Sequence, residues 1–373
     1  MAHIEKRGPN RWRARYRGPD GRERSRTFAR KSDGERFLAA VETSKARGEW
    51  LDPLSGSITV REWAEAWVPT RTDLRPATLA RLVTTVERQV LPKWGTRRLS
   101  SVTNGEVRAW VGELLAAGYS PATARKAVFA LRQMFDAAVA DRRLSVNAAA
   151  SVPLPPERSA ETRALTRDEV LAVADSMHPR YRAAVLLAGF GGLRYGELMG
   201  LRRKRIDTLR GRITVAETAV ELGGSITFGE PKTPKSKRTL PIPRTLMRAL
   251  EDHLAEFVGA DTDALVFTVQ SGGPVHRATF ARHWRQAVRG AGLEGVRVHD
   301  LRHSYVSLLI AGGASVKEVS TWAGHSSAAF TLDRYSHLFD TSGDEVADRL
   351  DALFEAAPTA EVRTLRRTAD GIS

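Results

Sequence analysis

The sequence predicts a multidomain, mainly α-helical protein with small β-sheets, on the basis of three observations. Apolar residues recur at helical spacing behind capping motifs along most of the chain after residue 58. Alternating segments, which indicate strands, are confined to residues 11–28 and 212–242. Residues 148–163 are proline-rich and without periodicity, as in a linker. Because 373 residues suffice for two or three domains, we expect a small N-terminal β-sheet and helix domain, an all-α four-helix domain and an α+β C-terminal domain.

The composition indicates a folded protein that binds a polyanion. The formal net charge is +15 and the pI is about 10.5, while 42% of the residues are hydrophobic and can form buried cores. This balance favours nucleic acid as the partner, ahead of an anionic membrane. No apolar run approaches transmembrane length and no signal peptide opens the chain, so we expect no membrane partner. The absence of cysteine excludes disulfides and thiolate metal sites and fits a reducing cytoplasm.

Residues 1–50 are the most basic part of the sequence, with 14 Lys and Arg against 7 Asp and Glu. Two alternating segments joined by a Gly-Pro-Asp-Gly turn signal predict a β-hairpin, and residues 31–47 have helical spacing. The arginines at alternate positions of the first strand are Arg11, Arg13, Arg15 and Arg17. Because sheets and ribbons can enter the major groove, we favour DNA binding by this arginine face over a merely solvated hairpin.

Residues 57–147 have the features of a small all-α bundle. Capping boxes and prolines mark the four helix starts, which are Thr59 with Glu62, Pro76, Thr103 with Glu106, and Ser120 with Pro121. Apolar stripes on these helices predict the core. Basic side chains between the stripes, among them Arg125 and Lys126, are candidate DNA contacts, although charges on a helix usually serve only solvation.

Residues 164–356 are predicted to form the C-terminal domain. A helix that is apolar nearly throughout, residues 181–190, is followed by two glycines and then by Arg194. An arginine in this position is held close to the backbone. A salt bridge with Glu197 is the structural alternative, and it does not exclude a role for Arg194 at a functional site.

Three short strands are predicted at residues 212–217, 225–228 and 238–242. The loop between the last two reads GEPKTPKSK and carries Lys232 and Lys235. Taken alone, such a basic loop indicates only an exposed surface.

Residues 297–337 carry side chains that could form a catalytic site. Their sequence is RVHDLRHSYVSLLIAGGASVKEVSTWAGHSSAAFTLDRYSH. Residues 298–311 have the spacing of a buried helix, with His299 and Arg302 on one face near its N-terminus, where free N–H groups attract anions. A second helix ends at a glycine, which leaves His325 on a turn, and a short segment then leads to Tyr335. Two histidines, an arginine and a tyrosine could thus meet around one phosphate.

Three segments of this stretch, HDLRHS, AGHSS and TLDRYSH, resemble the C-terminal signature of the tyrosine recombinases, the phage-integrase family. Upstream, GGLRYGEL resembles the first arginine box of that family, with Gly191 where the family usually has threonine. PKTPKSKR resembles the common form PKTxxSxR of its β-hairpin lysine. The resemblance spans residues 166–354, and the matching positions in chain order are Arg194, Lys232, His299, Arg302, His325 and Tyr335.

The resemblance implies a site-specific DNA recombinase that integrates or excises a mobile element through a 3′-phosphotyrosyl intermediate at Tyr335 and needs no cofactor. It places the hairpin lysine at Lys232, with Lys235 as the alternative and otherwise as a candidate DNA contact. It also implies double-stranded DNA as substrate, a homotetramer on DNA, a possible accessory DNA-bending or directionality factor, and a place on the nucleoid in the bacterial cytoplasm. Residues 1–50 would bind arm-type DNA sites, and residues 57–147 would form the core-binding domain.

Elementary chemistry gives these side chains their roles. Cleaving a phosphodiester without a metal needs a nucleophile, neutralisation of charge and a proton for the leaving oxygen, and the sequence has no acidic cluster at metal-ligand spacing and no P-loop. Arg194, Arg302 and His325 are the candidates for neutralising the charge on the phosphate, and we call them the charge clamp. Tyr335 is the candidate nucleophile, His299 the candidate base and Lys232 the candidate acid. His303 and His337 receive supporting roles at most.

Two other functions share parts of this evidence. A non-catalytic DNA-binding protein could retain the fold, but all six catalytic positions are filled. A type IB topoisomerase-like enzyme shares the chemistry, but the basic N-terminal region and the spacing from AGHSS to RYSH favour an integrase.

The end of the sequence predicts one more element. Residues 344–354 have an amphipathic helical pattern, and such a helix would either close its own core or, as in the family, dock on a neighbouring protomer. Residues 357–373 are polar and are predicted to form a mobile tail.

Overall fold

The computed structural model describes residues 2–18, 21–46, 55–156, 163–231, 236–325 and 327–339, together with 347–348, 350–352 and 354. The chain divides into two compact units, Met1–Ala160 and Glu161–Ser373. None of the described helices combines the length and the apolar character that a membrane span requires.

The N-terminal region is a three-stranded antiparallel sheet with one helix. The elements are β1 (His3–Gly8), β2 (Arg11–Arg17), β3 (Glu23–Phe28) and α1 (Lys31–Ala46), with strand order β1-β2-β3. The predicted hairpin and helix are confirmed. Strand β1 is missing from the sequence-based prediction because Ile4 is its only large apolar residue, so that backbone pairing with β2, rather than alternation, defines it.

Helix α1 packs against one face of this sheet. Phe37 contacts Tyr16 and Phe28, with ring centroids 5.5 and 5.2 Å apart. Because side chains alternate along a strand, the arginines of β2 lie on the opposite face, and they are Arg11, Arg13, Arg15 and Arg17. Arg15 forms an ion pair with Glu23 at 3.1 Å, whereas the ends of this arginine row are exposed.

The rest of the first unit is helical. The helices are α2 (Val60–Trp67), α3 (Pro76–Thr85), α4 (Leu91–Trp94), α5 (Asn104–Ala116) and α6 (Pro121–Ala140). The capping boxes predicted at Thr59 and Thr103 are formed. A π-helical turn, Val86–Val90, continues α3 into α4. The proline of α4 lies in its first turn, where no N–H is needed.

An apolar core holds these helices together. Trp94 and Trp110 meet edge to face, with ring centroids 5.6 Å apart. Ala149 and Val152 are buried in the same core, and Arg132 donates from Nε to the carbonyl of Ala149 at 3.0 Å. The segment predicted as a linker from residue 148 therefore packs on the helices at its beginning, while its residues 157–162 lie outside the described part of the chain.

The second unit combines helices with two small sheets. Its elements are α7 (Arg167–Asp175), α8 (Pro179–Gly191), α9 (Tyr195–Met199), β4 (Ile206–Asp207), β5 (Arg212–Val215), β6 (Thr218–Leu222), β7 (Ser225–Gly229), β8 (Arg238–Pro241), α10 (Arg244–Phe257), α11 (Arg277–Gly290), α12 (Asp300–Ala311), α13 (Val316–Ala323) and α14 (Ala328–Tyr335). Strands β4, β5 and β8 form one antiparallel sheet in that order, and β6 pairs with β7 in another. The predicted strand at 212–217 is thus shorter, and β6 is an addition, because the chain leaves one sheet after Val215 and enters the other at Thr218.

Helix α8 is buried on nearly all sides, as its apolar sequence predicts, and it packs mainly on α12 and α7. A smaller apolar cluster joins α12, α13 and α14 through Tyr305, Val306, Val319 and Tyr335. This cluster sets the end of α14 against the first turns of α12.

The described residues of the predicted C-terminal helix, at 347–348, 350–352 and 354, are helical. Leu350 and Phe354 are 51% and 87% exposed, so these two side chains do not close a core of their own. Val346, Leu353 and the predicted tail at 357–373 lie outside the described residues.

Candidate active site

Arg194 reaches the site because α8 ends at a left-handed glycine. Gly192 has a φ of +67°, and a Cβ at this position would lie 2.1 Å from the ring of Tyr305. Both the backbone and the packing therefore require glycine here. Leu193 is buried in the core, and Arg194 stands at the N-cap of α9.

We expect Gly192→Ala to lower the free energy of unfolding by about 2–5 kcal/mol, because it combines overpacking with left-handed strain. Gly313→Ala is the matched control, since Gly313 has a φ of +81° but nothing within 4 Å of an added Cβ. Denaturant unfolding of both variants measures the difference. Equal losses in the two variants would contradict the steric clash with Tyr305.

Glu197 is the buried anion around which two arginines are arranged. Its side chain is 4% exposed, and Arg238 donates to its two carboxylate oxygens at 3.0 and 2.9 Å. Arg194 donates from Nη1 to Oε1 of the same carboxylate at 2.8 Å. Arg238 also donates from Nε to the carbonyl of Trp322 at 2.9 Å, so that β8, α9 and the end of α13 are fixed to one another.

Glu197→Gln should test this network through its pH dependence. Burial acts to raise the pKa of Glu197, but Arg238 and Arg194 outweigh it and hold the pKa at about 2. Because this pKa is depressed on folding, the carboxylate stabilises the fold above the unfolded value of about 4.3, and the stabilisation is lost as the pH falls toward 2. We expect Glu197→Gln to cost about 3–5 kcal/mol at pH 7 and less at pH 3. A loss that is the same at both pH values in unfolding experiments would contradict the ion-pair role.

Arg302 enters the site from α12. It is 4% exposed, and its Nη1 donates to the carbonyl of Gly192 at 2.7 Å while its Nη2 donates to the carbonyl of Ala323. Arg194 donates from Nη2 to the carbonyl of Gly324 at 2.7 Å. The two guanidinium groups therefore lie beside consecutive carbonyls at the end of α13.

The site carries a surplus of positive charge. Burial, and then the positive charges of Arg194 and Arg238, lower the pKa of Arg302 to about 9, so Arg302 remains protonated at neutral pH. Arg194 and Arg238 share one buried carboxylate, that of Glu197, whereas Arg302 donates to backbone carbonyls and adds a third positive charge. Such an arrangement suits an anion with planar or tetrahedral oxygens, and phosphate is the anion that arginine forks match.

His325 follows α13 on a left-handed turn, in which Gly324 has a φ of +63°. Nδ1 of its ring lies 2.8 Å from the hydroxyl of Thr331, which is completely buried. In the tautomer in which Thr331 donates to Nδ1, Nε2 carries the hydrogen and can donate to a ligand. Burial, and then Arg302 and Arg194, lower the pKa of His325 to about 3, so the ring is a neutral donor.

Tyr335 is the last residue of α14 and is 6% exposed. Its ring stacks on that of His325, with centroids 6.2 Å apart and planes 6° apart. Its hydroxyl is hydrogen-bonded to Nδ1 of His303, which follows Arg302 directly in α12. Burial raises the pKa of Tyr335 and the positive charges of Arg302 and Arg334 offset this only in part, so the hydroxyl is protonated at neutral pH.

His299 stands at the edge of this arrangement. Helix α12 begins at Asp300, and His299 occupies its N-cap position, although the sequence indicated a start at residue 298. The ring of His299 is exposed and meets that of His303 edge to face, with centroids 5.1 Å apart. Partial desolvation, and then the charges of Arg302 and Arg194, lower the pKa of His299.

The structure brings together four of the six candidate catalytic residues, which are Arg194, Arg302, His325 and Tyr335. The ring of His299 contacts that of His303, and the ring of His303 in turn contacts that of Tyr335. Lys232 and Lys235 lie outside the described residues. No group of three or more His, Cys, Asp or Glu side chains in the described part of the chain is placed to hold a metal ion.

Two residues of the site were not among the sequence-based candidates. Arg238 fixes Glu197, and its signal was present as the last position of the PKTxxSxR form. His303 contacts the hydroxyl of Tyr335, although its place in HDLRHS suggested only a supporting role.

In the first unit, the two candidate DNA contacts on α6 differ in exposure. Lys126 is exposed, whereas Arg125 is half-buried and donates to the carbonyl of Pro155 at 3.1 Å. Arg125 and Arg132 lie 6.0 and 5.2 Å from the ring of Phe129, which is 40% exposed. An exposed aromatic ring between two arginines thus marks this surface of α6.

Comparisons with known proteins assign three segments of the chain to models of phage integrase domains. Residues 3–47 match the model of the phage integrase N-terminal domain, and residues 60–153 match that of the phage integrase central domain. Residues 163–342 match the model of the phage integrase family.

Relatives and solved structures agree with these matches. The chain is 32% identical over 366 residues to a putative prophage phiRv2 integrase of Mycobacterium tuberculosis, a match that covers 95% of this chain and 96% of the relative. Its fold resembles that of the Tn1549 transposon integrase in complex with a circular intermediate DNA, with a TM-score of 0.67, 20% identity and coverage of 80% and 100% of the two chains. It also resembles the lambda integrase tetramer bound to a Holliday junction, with a TM-score of 0.58, 18% identity and coverage of 87% and 96%. The chain therefore belongs to the phage integrase family and is a tyrosine-type site-specific DNA recombinase.

Proposed function

We propose that this recombinase integrates or excises a mobile element by attack of Tyr335 on DNA, which forms a 3′-phosphotyrosyl intermediate. The observation that carries the proposal is the common end of α13. There the guanidinium groups of Arg194 and Arg302 lie beside consecutive carbonyls, and the next residue, His325, stacks on Tyr335. A phosphate at this place would meet cationic donors and the hydroxyl together.

The chemistry follows from what these groups can donate. Arg194 and Arg302 would bind the nonbridging oxygens and stabilise the charge that develops in the pentacovalent transition state, and His325 would add a neutral donor. Lys232 is our candidate for the acid that protonates the leaving 5′-oxygen, with Lys235 as the alternative. Because the bond energy is retained in the phosphotyrosine, a 5′-hydroxyl of another strand can attack it without a cofactor.

The remaining surfaces supply DNA contacts and assembly. We propose that the arginine face of β2 binds arm-type sites and that the surface of α6 around Lys126 binds core DNA, where the exposed ring of Phe129 would add an apolar contact. The lambda integrase relative is a tetramer on a Holliday junction, and we propose a homotetramer on double-stranded DNA for this chain as well. A DNA-bending or directionality factor would assist, and the site of action would be the nucleoid in the bacterial cytoplasm.

A suicide substrate tests the proposed chemistry. The full chain is mixed with labelled core-site DNA that carries a nick near the cleavage position, so that the released fragment diffuses away and the covalent product accumulates. We expect a covalent protein–DNA band on a denaturing gel, formed equally with and without EDTA. Absence of the band on the true core site would overturn the proposal, and loss of the band with EDTA would mean that formation of the adduct needs a metal ion.

Strand exchange separates the proposal from a relaxing enzyme of the type IB topoisomerase kind. A recombinase should join the ends of two different duplexes that carry matching core sites, whereas a relaxing enzyme should only reseal its own strand. Relaxation of supercoiled DNA without any recombinant product would favour that alternative. Sequence-specific binding without covalent product would favour a non-catalytic DNA-binding protein.

Removal of residues 1–50 should separate cleavage from complete recombination. We expect the truncated protein to cleave a core-site suicide substrate at a rate within about threefold of the full chain, because the catalytic side chains all lie in the second unit. Recombination of substrates with arm-type sites should fall by at least tenfold, because a strongly basic DNA contact is lost. Equal recombination by the truncated and full-length proteins would contradict the arm-binding role.

A further inference from the structure

The hydroxyl of Tyr335 is already engaged by a residue outside the six-residue set. Nδ1 of His303 is hydrogen-bonded to it, and the two rings, with exposures of 8% and 6%, lie with centroids 5.8 Å apart. His299, the base that the family resemblance suggests, contacts the ring of His303 instead. His303 therefore stands between the expected base and the nucleophile.

Both partners of this hydrogen bond are neutral at pH 7. Burial, and then the neighbouring His299 and Arg334, lower the pKa of His303 to about 4, so its ring is neutral at pH 7. Burial keeps the phenol of Tyr335 protonated. Because a phenol is a stronger acid than an imidazole N–H, and an imidazole nitrogen is a stronger base than a phenol oxygen, we assign the phenol as the donor to Nδ1 and place the proton of His303 on Nε2.

We propose that His303 is a further catalytic residue, which accepts the proton of Tyr335 as the tyrosine oxygen attacks the scissile phosphorus. The inference rests on the proposed function, since it needs Tyr335 as the nucleophile. As the bond from the tyrosine oxygen to phosphorus forms, the proton moves to Nδ1 of His303 and produces an imidazolium. The bond from phosphorus to the 5′-oxygen breaks, and its electron pair leaves with that oxygen, which takes a proton from the acid, for which Lys232 is our candidate. In the joining step the imidazolium returns the proton to the tyrosine.

Bound DNA changes the environment that makes His303 a weak base in the free protein. Its low pKa comes from burial and from neighbouring groups that include Arg302, and a phosphate bound at Arg302 would add the negative charge that stabilises an imidazolium. The phenol also becomes more acidic as its oxygen bonds to phosphorus. On its other side the tyrosine ring stacks on His325, which keeps the hydroxyl directed at His303 rather than free to rotate away.

Single-turnover cleavage by His303→Asn tests the proposal, because asparagine can accept a hydrogen bond but cannot take the proton. His283→Asn is the matched control, because His283 lies on α11 and its ring packs on that of Tyr181. Each full-length variant is assayed on an ordinary suicide substrate and on one with sulfur in place of the bridging 5′-oxygen, which leaves without an acid. We expect His303→Asn to lose about a hundredfold or more in rate on both substrates, with core-site DNA affinity within threefold of wild type, since a general base contributes roughly that much. His283→Asn should cleave at a rate within threefold of wild type.

A cleavage rate within threefold of wild type for His303→Asn would overturn the proposal. A loss of rate that disappears on the substrate with the bridging sulfur would also overturn it, because His303 would then act on the leaving group. If His303→Asn does not fold, nitrogen NMR of the histidine side chains replaces the rate measurement. The Nδ1 resonance of one neutral histidine should then shift between wild type and Tyr335→Phe. The absence of such a shift would overturn the proposal. The outcomes remain distinguishable from failure of the proposed function, because that function fails only if the wild-type protein forms no adduct or if the adduct does not depend on Tyr335.

Discussion

Tyr335→Phe should abolish the covalent protein–DNA adduct while the protein still folds and binds core DNA. The substitution removes one oxygen, keeps the ring that stacks on His325, and leaves Nδ1 of His303 without its partner. Leaving one buried acceptor unsatisfied costs about 1–3 kcal/mol, which a folded domain tolerates. We therefore expect no covalent band on a denaturing gel, against a core-site affinity within about threefold of wild type.

Tyr305→Phe is the matched control for this experiment. Tyr305 is buried in the same apolar cluster, and burial raises its pKa to about 12, but its ring packs on Gly192 rather than on His325. Its variant should form the adduct at a rate close to that of wild type. A persistent band in Tyr335→Phe, or equal losses in the two variants, would mean that Tyr335 only packs.

Arg302→Lys should reduce the cleavage rate by at least about a hundredfold, because an ammonium cannot copy a planar fork aimed at two oxygens. Lysine is a better probe than alanine here, since Arg302 is buried and donates to the carbonyls of Gly192 and Ala323. Alanine would leave both carbonyls unpaired and would mix a folding defect with a catalytic one.

The residual activity of Arg302→Lys should also depend on pH. The site lowers the pKa of Arg302 to about 9, and the same burial and charges would bring that of a lysine, ordinarily about 10.4, into the neutral range. Its remaining activity should then fall as the pH rises through neutrality, whereas the wild-type arginine keeps its charge. Arg297→Lys is the control, because Arg297 pairs with Asp300 at the surface of the same helix end. Cleavage by Arg302→Lys at the rate of Arg297→Lys would remove Arg302 from the charge clamp.

The parts of the site that could be predicted from the sequence are those set by local spacing. The helix with Arg302, the glycine that ends α13 before His325, and the turn after α8 that presents Arg194 all depend on caps and glycines within a few residues. The histidine that meets the tyrosine could not be predicted in this way. Whether His299 or His303 faces Tyr335 depends on how α14 packs on α12, and that packing joins residues about thirty positions apart.

The fold shows the same division between local and long-range information. The capping boxes at Thr59, Thr103 and Thr166 are formed, because each needs only a residue three positions away. Strands β1 and β6 were missed because partners elsewhere in the chain define them. The role of Glu197 as the shared partner of Arg194 and Arg238 has the same origin, since Arg238 lies 41 residues further along the chain.

Peptide mapping of the wild-type adduct tests most directly whether Tyr335 is the nucleophile. The covalent complex formed on a core-site suicide substrate is digested with protease and nuclease, and the peptide that retains a nucleotide is sequenced by mass spectrometry. We expect a single modified peptide from the segment TLDRYSH, with the nucleotide attached through a 3′-phosphate to the oxygen of Tyr335. A nucleotide attached to another residue, or through a 5′-phosphate, would contradict the site described for this recombinase.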